Sequence, residues 1–338
     1  MKKKILISAI IVVLLLSMST MLFAGCNKEF VPEPLVDFAI PDVSIGKTLL
    51  EDAKPVDKDM SAFNMLQVAS ENFYNADYAI INYQGGVKMR IVAFDVDQEV
   101  QSLKIRSGKG DATGNNANKA TYFADNKSYS MFAKLYEKMV ISPDKIQWRT
   151  ADGTGFKRGN KNQPKDVWTV SKWNAIDSDF TSLADKADSK SFLNKKSNNP
   201  TILWMYDLQD QFIKGQLEPI YDEATETYRF ALEFLPEEST VEYIKTMKNQ
   251  LENNGGIKVD NLVFKQLVLE VVLWKNGTFR SITVKEAYSM TMKAGPITLN
   301  DTLVKLSATQ QFSYNANEEG FAIDTYVNNF SNENDLKK

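Results

Sequence analysis

The sequence predicts an α+β domain built around a long antiparallel sheet. Three observations predict it. Apolar residues recur at every second position in several stretches, the longest running from Val263 to Trp274. Asn276-Gly277 follows that stretch directly, the strongest short hairpin signal. Two other stretches carry apolar residues at helical spacing instead.

In chain order, Ser61 suits the N-cap of a helix over residues 61–74, with Ala62, Met65, Leu66, Ala69 and Phe73 on one face. The period then drops to two. Val87, Met89, Ile91 and Ala93 alternate with Lys88 and Arg90, which predicts a half-buried strand, and Gly85-Gly86 before it suits a hairpin turn. Leu103 and Ile105 continue the alternation, and a Gly- and Asn-rich stretch from Ser107 to Asn118 reads as a loop. Tyr122-Phe123 and Tyr129–Phe132 flank Asp125-Asn126-Lys127, a strand–turn–strand signal.

Residues from about 152 to 200 are polar and irregular, with Trp168 and Trp173 among them, and read as an insert or a lid. Ile202–Ile213 fits a short helix. Tyr228, Phe230, Leu232 and Phe234 alternate as a strand. Ser239-Thr240-Val241-Glu242 is a capping box opening a helix that ends at Gly255-Gly256, with Val241, Ile244, Met247 and Leu251 inward. After Asn276-Gly277 the return strand carries Arg280, Ile282, Val284 and Glu286, then Met290 and Met292, and breaks at Gly295-Pro296. Leu303–Phe312 is the last strand.

The N-terminus carries an address. Met1-Lys2-Lys3-Lys4 precedes an uncharged run from Ile5 to Phe23, the pattern of a secretory signal. The run ends Leu22-Phe23-Ala24-Gly25-Cys26. This resembles the lipobox of bacterial lipoproteins, with Phe23 where leucine is usual, and implies cleavage before an acylated Cys26 (diacylglyceryl and palmitate-type chains). An uncleaved transmembrane anchor is the alternative, because the run is near spanning length. Either way the remainder is expected on the extracytoplasmic face of a cell membrane. Residues 26–60 contain Pro32, Pro34, Pro41 and Pro55 and read as a tether, although Leu35–Ile40 is apolar enough to pack as a strand. Residues 61–338 are expected to form one domain, with the insert at about 152–200.

Composition excludes much chemistry. Cys26 is the only cysteine and there is no histidine, so Ser-His-Asp catalysis, thiol nucleophiles and His- or Cys-ligated zinc are ruled out. Removing Lys2, Lys3 and Lys4 with the signal leaves 37 basic against 43 acidic residues, without the basic clustering of nucleic-acid binding. No polybasic run follows Cys26. Ser142-Pro143-Asp144-Lys145, Ser197-Asn198-Asn199 and Lys293-Ala294-Gly295 match the order of serine acyl-enzyme motifs, but Lys145–Arg149 reads as a strand where those enzymes need a helix. Asp95-Val96-Asp97 reads as a solvated turn. Asp177, Asp179, Asp185 and Asp188 lack calcium-loop spacing. No catalytic residue, metal ligand or cofactor is assigned.

The order of helix, antiparallel meander, helix and long strands behind a lipobox resembles the half-barrel envelope lipoproteins. These are the LolA–LolB carriers and the LppX/LprG lipid-binding lipoproteins. Ala69–Ile105 and Val263–Tyr314 carry the resemblance, and Ala308–Tyr314 is also similar to uncharacterised lipoproteins of Gram-positive bacteria. The resemblance implies a curved open half-barrel wrapping a few helices, with an apolar hollow for acyl chains and no catalysis. Met89, Ile91, Leu267, Leu269, Val271, Leu273, Met290 and Met292 are the candidate lining, although an ordinary core would use the same residues. The functional expectation is a non-enzymatic lipoprotein binding a lipid or other amphiphile. The alternative is a surface protein contacting protein or glycan through its exposed loops.

Overall fold

The computed structural model describes residues 30–41, 50, 52–76, 78–91, 94–107, 121–130, 134–142, 145–152, 168–174, 206–255, 258–294 and 296–315. The signal, Cys26 and most of the expected insert lie outside these residues. Among them no helix is long and apolar enough to cross a membrane.

Helix α1 (Ala62–Asn75) comes first. Strands β1 (Tyr78–Ile91), β2 (Phe94–Ser107), β3 (Thr121–Ser130), β4 (Lys134–Ser142), β5 (Lys145–Asp152) and β6 (Trp168–Asn174) follow. Then come β7 (Ile213–Asp222), β8 (Thr227–Phe234), the one-turn helix α2 (Pro236–Ser239) and α3 (Val241–Gly255). Strands β9 (Lys258–Trp274), β10 (Phe279–Ala294) and β11 (Ile297–Ser313) complete the order.

Among the described residues, all strands join one sheet of 11 strands, ordered β6-β5-β4-β3-β2-β1-β11-β10-β9-β8-β7, with antiparallel neighbours throughout. The fold is therefore α+β with a large open antiparallel sheet. Two hairpin meanders meet where β1 pairs with β11, so the ends of the domain close its centre.

Helix α1 forms where the sequence predicts it. The Ser61 hydroxyl accepts from the Asn64 amide at 3.2 Å, and Ala62, Met65, Leu66, Ala69 and Phe73 are buried against the sheet. Asn72 ties the helix down. Its side chain accepts from Lys54 N and donates to the carbonyls of Lys54 and Gly277, each at 2.9 Å. Gly277 sits in the expected turn at φ 81°, closed by its N–H on the Trp274 carbonyl at 2.8 Å.

Several local expectations are corrected. Gly85 and Gly86 lie inside β1, and the reason is tertiary: a Cβ on Gly85 would stand 2.7 Å from the Ala308 Cβ. Asp125-Asn126-Lys127 lies within β3, paired on both sides, so no turn forms there. Of the helix expected at 202–213, the described part holds only a 3-10 turn at Asp210–Phe212. The capping box is not made: Thr240 donates its hydroxyl back to the Pro236 carbonyl, and α2 precedes α3. Trp168–Asn174, inside the expected insert, pairs with β5. Ser142 and Lys145 are register partners closing the β4–β5 hairpin, which is no setting for an acyl-enzyme serine.

The expected tether is seated on the domain in both its described parts. Val56 is in the core, and its N–H bonds to the Lys275 carbonyl at 3.2 Å. Residues 30–41 form an extended strap over the sheet face opposite α1. Glu33 exchanges backbone bonds with the Gln266 side chain at 3.2 and 2.7 Å, and Leu35 lies over Gly215. Asp37 takes a two-point ion pair from Arg229 at 2.9 and 3.0 Å, which holds its carboxyl below the usual carboxylate range. The strap covers the second face of β9, where Val268 and Val272 are buried on the side opposite Leu267 and Leu269.

Candidate functional site

The face of the sheet beneath the helices carries two apolar clusters. The larger gathers α1 residues with Leu267, Leu269, Val271 and Leu273 of β9, all fully buried. The smaller contains Val259, Phe264, Tyr288, Met290 and Met292, with Val87 and Met89 packed against it. Half-buried Tyr243, Ile244 and Met247 of α3 cover this second cluster.

The eight candidate lining residues thus divide. The four from β9 are core beneath α1. Met89, Met290 and Met292 meet in the second cluster, joined there by Met247, which the sequence placed on the inward face of its helix but not among the lining residues. Ile91 is the last residue of β1.

Between the clusters stands a residue recorded in the sequence only as a strand position. Register aligns Val87, Leu306, Glu286, Leu267 and Phe234 across five strands, so Glu286 is the one charged type in an apolar row. It is 4% exposed. Tyr206 donates its hydroxyl to Glu286 Oε1. Glu286 Oε2 is buried without a partner among the described residues.

Aromatic residues frame this carboxyl. Tyr206 meets Tyr243 edge-on at 5.5 Å, Tyr243 meets Phe264 at 5.3 Å, and Phe264 meets Tyr288 at 4.9 Å. Tyr83 of β1 is close enough to feel the Glu286 charge. The chain of rings runs from the segment before β7 through α3 and β9 to β10.

Burial sets the protonation. Withdrawn from water, the Glu286 carboxyl is pushed up to about 8, so it is neutral at pH 7. The Tyr83 and Tyr243 phenols are pushed up to about 12, and Tyr288 is raised as well, all chiefly by burial. A neutral carboxyl has one O–H and one carbonyl oxygen. With Oε1 accepting from Tyr206, the proton belongs on Oε2. The seam therefore presents an O–H donor with no acceptor among the described residues, inside an apolar layer, which is costly unless an acceptor meets it.

A signal for this site was present. In Ile282, Val284, Glu286, Tyr288, Met290 and Met292 a carboxylate interrupts the apolar alternation of β10. A second feature lies on the opposite face. A cavity of about 330 Å³ is lined by Phe30 and Glu33 of the strap with Lys88, Lys285, Lys305 and Gln266 of the sheet, and Glu286 is also among its lining residues.

No family model and no curated protein matches the chain. Among solved structures, the chain is similar to a DUF1329 family protein from Desulfovibrio piger. The identity is 8%, 73% of this chain and 88% of that one are covered, and the TM-score is 0.16. At that level the likeness carries no argument about fold or function.

Proposed function

We propose that the chain is a non-enzymatic extracytoplasmic lipoprotein, anchored through Cys26, that binds an acyl lipid on the helix-covered face of an open half-barrel. The observation that carries the reading is Glu286: a buried carboxyl at the seam of two apolar clusters, with one oxygen that meets no partner among the described residues. An ester carbonyl is the complementary group, since it accepts a hydrogen bond and brings acyl chains with it.

The second cluster is the fitting place for those chains. Met89, Met247, Met290 and Met292 are unbranched and repack at little cost. Their cover, α3, is only half-buried, so it parts from the sheet more readily than α1 does. The four fully buried β9 residues serve as the fixed core against which this half moves.

The test is native mass spectrometry of the mature chain carrying Cys26→Ser, purified from a bacterial host and after incubation with diacyl phospholipid. Retained lipid that Glu286→Leu abolishes, with the far-ultraviolet spectrum unchanged, supports the reading. A clean apo mass under both conditions overturns it.

A further inference from the structure

The strap bears on how the domain meets the membrane. Phe30 lies four residues after Cys26, a distance of at most ~14 Å along the chain. At Phe30 the chain is already fixed, because the Lys305 ammonium sits over its ring at 5.4 Å and bonds Glu33 at 3.1 Å. An anchor on Cys26 can therefore lie no more than ~14 Å along the chain from the strap at Phe30.

That side has the residues of an interface. Of the large apolar residues left exposed among the described ones, Val31 (76%) and Val36 (59%) are on the strap. Val263 (45%) pairs with Ser289, one step from the inward pair Phe264 and Tyr288, and so faces the strap side too. The cavity lies among them. Of its three lysines, Lys285 bonds Glu270 and Lys305 bonds Glu33. Lys88 stands directly across from Lys305 and forms no ion pair among the described residues, although register brings Asp97 of β2 opposite its other flank. Like charges facing each other across a ladder are unfavourable; the Glu33 carboxylate already offsets Lys305, which leaves Lys88 as the lysine open to a further anion.

We propose that this face lies on the leaflet holding the anchor, with the lysine cavity taking the phosphate of an anionic phospholipid headgroup and the three valines entering the interface. The inference rests on the reading of Cys26 as lipidated. It is independent of any ligand at Glu286.

The experiment uses the full lipidated protein in phosphatidylcholine vesicles with or without phosphatidylglycerol. A nitrobenzoxadiazole fluorophore is placed on Val263→Cys or, as the exposed control on α3, on Glu242→Cys. Iodide is the aqueous quencher. The expected result is protection at 263 but not at 242, dependent on phosphatidylglycerol. Lys88→Gln, which removes no ion pair among the described residues, should weaken that dependence roughly fivefold. Equal quenching at both positions overturns the proposal, as does protection indifferent to Lys88 and to phosphatidylglycerol. The mass of the mature protein separates the two readings. A mass without a diacylglyceryl group overturns the anchor itself, and this orientation with it. A lipidated mass with equal quenching overturns the orientation alone.

Discussion

Replacing Glu286 by glutamine tests the buried carboxyl apart from any ligand. The carboxyl holds its proton in the folded chain up to about pH 8, against an ordinary value of 4.5 when unfolded. Below pH 4.5 both states are protonated and its stabilising share is fully present. Between 4.5 and 8 only the unfolded chain releases the proton, so stability falls by ~1.4 kcal/mol per pH unit, a loss of roughly 5 kcal/mol across the window. Glutamine has nearly the same volume, stays neutral and keeps an oxygen for Tyr206. The variant should therefore match the wild type in slope below pH 4.5 and gain on it steadily up to pH 8. Urea midpoints taken every half unit from pH 4 to 9, at constant denaturant slope, read this difference directly. Other titrating groups cancel between the two proteins. Parallel profiles across the window would refute both the burial and the protonation state assigned to Glu286.

Three further substitutions probe the frame. Phe73→Ala empties a fully buried site between Phe312 at 5.7 Å and Tyr314 at 6.2 Å, and should cost about 3–5 kcal/mol in urea unfolding. Asn72→Ala removes three hydrogen bonds holding α1 to Lys54 and the Gly277 turn, and should cost about 2–4 kcal/mol, read by thermal unfolding. Gly277→Ala puts a Cβ at positive φ and 2.0 Å from the Lys54 carbonyl oxygen, so it should destabilise by more than ~1 kcal/mol and loosen residues 52–60 in hydrogen exchange.

What the sequence disclosed follows from the range of the forces involved. Helix α1 and the Asn276-Gly277 turn were legible because cap, stripe and turn are written within a few residues. Gly85-Gly86 misled for the opposite reason. Glycine suits a turn locally, but here it makes room for Ala308, a neighbour visible only once β1 and β11 pair. Asp125-Asn126-Lys127 misled likewise, since pairing on both sides overrides turn propensity. The lysine cavity left no basic run to find, because Lys88, Lys285 and Lys305 come from three strands brought together by register. Glu286 lay between. Its place in an apolar alternation was written in β10, while the depth of its burial required the row from Val87 to Phe234.

The two proposed sites constrain each other. Lys285 and Glu286 are consecutive residues of β10, so the headgroup cavity and the carboxyl seam lie back to back across one layer of backbone. At that layer β1, β11, β10 and β9 are paired without a gap in the rows that contain Val87, Leu306, Glu286 and Leu267. No acyl chain crosses such a ladder, because parting it would leave buried N–H and C=O groups unpaired. A lipid whose headgroup docks under the strap is then not the lipid that reaches Glu286. The inner ligand must enter past α3, on the side turned away from the anchoring leaflet. On the two proposals together, an anchored domain so arranged would take its lipid from a donor above the membrane, and a disulfide pinning α3 to β9 should block loading while leaving vesicle orientation untouched.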